Sequence, residues 1–155
     1  MQTFLSGSGF LGTSAPFHSD LSLVFILISA VLFTIGWRLA VGKHYDIHQW
    51  VQTAAAVFNT LAVATVMIPA FIAYIIPGIP AKLLEGSYGV TTVHAVIGTL
   101  GLLLGVYVVL SANGLLPARL RFHNYKPFMR TSYAIYMIAT VIGVVVYVVV
   151  YLYHL

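Results

Sequence analysis

Apolar residues in this chain fall into four long blocks, about 21–41, 47–76, 89–112 and 128–153, separated by short stretches that carry most of the charge. Each block reaches or exceeds the ~20 residues that cross a bilayer as a helix. The pattern predicts an all-α fold: an integral membrane four-helix bundle in which residues 21–155 form a single domain and residues 1–20 a tail ahead of it. Little chain is left outside the lipid. The bilayer is therefore the first partner, and function has to reside in the bundle, in its short loops or on another protein.

Composition agrees with this class, since 61% of residues are hydrophobic and 6% charged, against roughly 25% charge in a soluble domain. The cations divide by side. Arg38 and Lys43 follow the first block, and Arg119, Arg121, Lys126 and Arg130 surround the third connection, whereas Lys82 stands in the opposite loop. The positive-inside rule then places both termini on the outer side. A net charge of +4 restates that bias and points to no nucleic acid, although a basic inner face can meet anionic headgroups. With no cysteine, thiolate metal sites, thioether-linked haem and disulfides are excluded.

Residues 1–20 are rich in Ser and Gly and lack the basic start and immediate apolar core of a signal peptide, so they read as an exposed outer tail. Ser19 and Asp20 are expected to cap the first helix. Ser22, Ser29 and Gly36 recur every seven residues, a spacing suited to a close helix seam. In the second block His48, Gln52 and Asn59 share one helical face, and amides at that depth should turn into the bundle to find hydrogen-bond partners. Pro69 is expected to kink the outer half of that helix. Arg130 can snorkel to the inner headgroups. The carboxylates Asp20, Asp46 and Glu85 all fall outside the hydrocarbon, so the buried acid of a proton-coupled carrier is not expected. No Ser/His/Asp constellation or phosphate-binding glycine loop stands out, and the chain reads as no enzyme.

Histidines carry the remaining candidate chemistry. His94 lies early in the third block, and Gly98, Gly101 and Gly105 fall within about 40° of it on a helical wheel. That flat face can receive a neighbouring helix, or a ring that needs one axial imidazole, such as haem b or a chlorophyll-type pigment. On the inner side, His48 and His123 form a second candidate ring-binding pair. His44, His48 and His123, near Asp46, form a candidate divalent-metal set, the ligands of a membrane metal chaperone.

The segment His48 to Thr53, Val93-His94-Ala95, and the run from His123 through Lys126 and Arg130 to Thr131 ahead of IGVVVYVVVY resemble a bacterial four-helix membrane family of unknown function that includes CtaM-like maturation factors of haem-copper oxidases. The similarity covers roughly residues 44–153. It implies a multi-pass protein of a bacterial plasma membrane, acting as a non-enzymatic accessory or assembly subunit beside the subunits of a larger electron-transfer complex. Carried over, the family's histidines match His48, His94 and His123, and its basic residue matches Arg130. A further family histidine at the outer end of the second span has no counterpart in IPAFIAYIIPG, so an outer cofactor site built with His94 is incomplete here.

Overall fold

A computed structural model of the chain describes residues 7–121 and 124–153. Four long helices follow one another: α1, Phe17–Val41; α2, Tyr45–Gly78; α3, Gly86–Ala112; and α4, Tyr125–Tyr151. All four are long and apolar enough to cross a membrane. Each starts a few residues ahead of its apolar block, because the backbone hydrogen-bond ladder continues into the polar interfacial sequence. Among the described residues α1 lies along α2 and α3 along α4, and these two pairs meet more sparingly through α1 against α4 and α2 against α3. One end of the bundle holds the α1–α2 and α3–α4 connections with most of the cations; it is called here the basic end.

Two helix ends at the basic end close with the same motif and different residues. After α3, Gly114 adopts φ +72° and its N–H donates to the Ser111 carbonyl, while Leu115 N–H donates to Leu110. After α1, Lys43 N–H donates to Ala40 and His44 N–H to Leu39, with Lys43 itself at φ 63°. Both are Schellman closures, which satisfy the orphan carbonyls of the last turn and favour glycine at the left-handed position. Lysine at that position carries a steric cost that Gly114 does not.

The expected disturbance at Pro69 takes the form of widened turns. Residues Val63–Met67 and Phe71–Ile75 are π-helical, each ending two residues before a proline, Pro69 or Pro77. Proline has no N–H for the carbonyl one turn back, so the ladder is re-spaced and Ile68 N–H reaches Val63 while Ile76 N–H reaches Phe71. The two π turns set the rotation of the last stretch of α2, where Tyr74 stacks on His18 at 4.7 Å between ring centroids.

From residue 7 onward the segment ahead of α1 is tied to the bundle. It turns back on itself, with Gly9 N–H donating to Ala15, Phe17 N–H to Gly7, and an isolated bridge between Ser8 and Pro16. Asp20 holds it in place. Its carboxylate is 0% exposed and accepts from Phe10 N–H at 2.6 Å, Leu11 N–H at 2.7 Å and the Tyr147 hydroxyl at 2.6 Å. One expectation is corrected here: Asp20 and Ser19 lie inside the first turn of α1, after Pro16 in the cap position, so neither caps the helix. Because the Tyr147 proton is given to Asp20, the Thr13 hydroxyl donates to Tyr147 at 2.8 Å. Ser14 Oγ donates to the Tyr151 carbonyl, and Ser19 meets the Tyr151 hydroxyl at 2.8 Å.

Candidate functional site

Between the four helices at the basic end lies a vestibule of about 1010 Å³. Ala56 lines one wall and Gly101 and Gly105 another, and the direct contact between α2 and α3 is slight beside that within the α1–α2 and α3–α4 pairs. From Tyr45 at the mouth to Asn59 at the floor the lining follows α2, a rise of roughly 21 Å. At the mouth, Asn113 joins the two parted helices. It caps α3 through its Nδ2 to the Val109 carbonyl, and the same amide donates to Thr53 Oγ1, while Gln49 Nε2 donates to Asn113 Oδ1 at 3.0 Å.

The polar stripe expected on α2 does turn inward, and it grips the backbone of α1. His48 Nδ1 lies 2.7 Å from the Gly36 carbonyl, and Gln52 Nε2 donates to the Phe33 carbonyl at 3.2 Å. Gly36 permits this contact, since a Cβ there would stand 2.5 Å from Gln52 Nε2. A carbonyl only accepts, so His48 Nδ1 carries a proton, and in the neutral ring Nε2 is the nitrogen with the lone pair. At the floor, Tyr136 hydroxyl donates to Ile26 carbonyl at 3.2 Å and lies 3.3 Å from Asn59 Oδ1. Asn59 is 5% exposed, and its Nδ2 has no acceptor among the described residues.

Charge in the vestibule has one sign. Lys126 and Arg130, one helical turn apart on α4, both line it, and neither is hydrogen-bonded to a described residue. Among the described residues, no Asp or Glu contributes to the lining. The arrangement can therefore hold a ligand that is anionic at the mouth, broad and largely apolar within, and able to use an imidazole lone pair.

The sequence-derived site residues are dispersed by the fold. His48, Gly101 and Gly105 line the vestibule, whereas His94, Gly98 and His44 do not. The His94 Nδ1 donates to the Ala139 carbonyl of α4 at 2.9 Å, with the ring against Gly143, where a Cβ would come within 2.8 Å of His94 Cε1. Gly101 and Gly105 pack against Ile135 and Ser132 of the same helix, at 3.1 and 3.3 Å from built Cβ positions, while Gly98 faces open space. The glycine face of α3 is thus covered on one side by α4 and open to the vestibule on the other. No group of three or more His, Cys, Asp or Glu side chains is placed to hold a metal among the described residues; His123 lies outside them. His44 sits at the exposed start of α2.

Sequence reasoning missed Asn113 and the tyrosines of α4. Tyr133, Tyr136, Tyr147 and Tyr151 fall within about 60° of one another at 100° per residue, and this hydroxyl stripe faces α1 and its leading segment at Thr34, Ile26, Asp20 and Ser19. Their helical spacing was the signal. Comparisons with protein-family models, with curated proteins and with solved structures return no match to this chain.

Proposed function

We propose that this chain is a non-enzymatic accessory or assembly protein of a bacterial plasma-membrane electron-transfer complex, with a haem-copper oxidase as the complex to which the sequence resemblance points. The observation that carries the reading is the vestibule: a ligand-sized cleft within the bundle, lined among the described residues by amides, hydroxyls, the His48 imidazole and the cations Lys126 and Arg130. Such a lining suits holding and presenting a molecule, because among the described residues no nucleophile there is paired with a base and an acid. The distribution of Arg38, Lys43, Arg119, Arg121, Lys126 and Arg130 against Lys82 supports an orientation with the vestibule open to the cytoplasm and both termini outside.

Deletion of the gene in its own host, with oxidase activity measured in isolated membranes, tests the proposal. The expected result is a several-fold loss of activity restored by the wild-type chain, together with co-purification of oxidase subunits in native nanodiscs. A protein that purifies alone from a host whose oxidase is unaffected by the deletion overturns the reading.

A further inference from the structure

We infer that the vestibule is a site for one iron tetrapyrrole bearing carboxylate side chains, with His48 Nε2 as its single imidazole ligand and Lys126 and Arg130 receiving the carboxylates. The inference rests on the reading of the vestibule as the working part of the protein, and it adds the class of ligand and its orientation.

The imidazole is already held as an axial ligand requires. A metal-bound histidine generally donates its other ring nitrogen to a carbonyl or carboxylate, which fixes the tautomer and the ring's rotation. His48 does this through Nδ1 to the Gly36 carbonyl at 2.7 Å, leaving Nε2 as the nitrogen with the lone pair. His94 has the same tautomer from its bond to Ala139, but its ring is wedged against Gly143 between two helices, where a macrocycle has no room. The vestibule has that room. At about 1010 Å³ it lies at the upper end of the ~300–1,000 Å³ typical of small-molecule sites.

Depth and charge then set the orientation. His48 stands three residues into α2 and Arg130 five residues into α4, about 5 and 8 Å from the helix starts, so imidazole and cations share the outer part of the cleft. Carboxylates directed at the mouth meet Lys126 and the Arg130 fork while remaining close to water. The reverse orientation places two charges at the Asn59 floor, where no cation lines the vestibule. An anionic lipid satisfies the mouth with its headgroup but leaves the lone pair of the oriented His48 imidazole unused.

Titration of the purified full chain in nanodiscs with haemin tests this. The expected outcome is a Soret band that saturates at one haemin per chain, with the spectrum of a five-coordinate, single-imidazole complex. His48→Gly should lose that band and regain it on addition of free imidazole, a rescue that a merely structural role does not give. Lys126→Ala with Arg130→Ala should keep the band position and weaken affinity at least tenfold. His94→Ala, checked for a monodisperse fold, should leave the band unchanged. Failure of wild-type chain to bind haemin saturably, a His48→Gly spectrum identical to wild type, or a six-coordinate bis-histidine spectrum would each overturn the inference. So would a wild-type chain that instead retains an anionic phospholipid through Lys126 and Arg130. The accessory reading fails separately: a normal oxidase after gene deletion sinks it even if haemin binds, and a defective oxidase sustains it even if haemin does not.

Discussion

Single residues show where this sequence is tuned and where it is not. Gly36 lets Gln52 reach the Phe33 carbonyl across the α1–α2 seam. Gly36→Leu should therefore cost about 2 kcal/mol by overpacking, seen as a lower unfolding temperature in detergent; Gly36→Ala combined with Gln52→Ala should cost less than the sum of the single changes, because the clash disappears with its partner. An additive pair would refute the contact. Lys43 and Gly114 form a natural contrast, since both occupy the left-handed position of the same helix closure. Lys43→Gly should stabilise by about 0.5–1 kcal/mol and Gly114→Ala should destabilise by about 1 kcal/mol. Thermal shifts of the same sign at the two positions would contradict that account.

At the scale of elements, the four spans and the inward face of His48, Gln52 and Asn59 were legible because both follow from helical periodicity in a solvent that leaves no backbone or amide unsatisfied. The hydroxyl stripe of α4 had equal periodicity, but tyrosine is common at membrane interfaces and its phenols were not distinguishable from an aromatic belt. The anchoring of the segment ahead of α1 was not legible, for a different reason. Its order depends on Asp20 and Tyr147, which are 127 positions apart, and no local pattern reports such a contact. Tyr147→Phe should remove one of the bonds to a buried carboxylate, at about 2 kcal/mol, and raise hydrogen exchange at Phe10 and Leu11. Unaltered exchange at those amides would show that the phenol does not hold the segment. In α2, Pro69→Ala returns a donor to the ladder. If the π turn then closes, the last stretch of the helix turns by about 100° and Tyr74 leaves its stack on His18, which a cysteine pair at positions 18 and 74 would register as lost cross-linking.

For the whole molecule, hydropathy and charge told which segments lie in the membrane but could not locate a cavity. A vestibule is set by how far α2 and α3 part, and that distance emerges from small residues, the Asn113 clamp and the α1 contacts acting together. His94 lies apart from the cleft, bonded to the Ala139 carbonyl of α4, while Gly101 and Gly105 further along the same helix line the vestibule. The proposed orientation makes its own prediction at this scale. A reporter fused after Lys43 or Arg119 should read as cytoplasmic and one inserted near Lys82 as external, and the reverse pattern would sink the placement of the vestibule mouth.

The bond between Asp20 and Tyr147 bears on how the protein is made. Synthesis runs from the amino-terminal side, so α1 enters the membrane long before Tyr147 and Tyr151 have been added, and until then its carboxylate lacks the phenol and the segment 7–16 lacks its anchors on α4. The fold is thus completed at its beginning by the helix that arrives last. A protease acting at the exposed Leu11–Gly12 peptide should cut chains arrested before α4 and spare finished ones, which makes that short segment a built-in signal that insertion is complete.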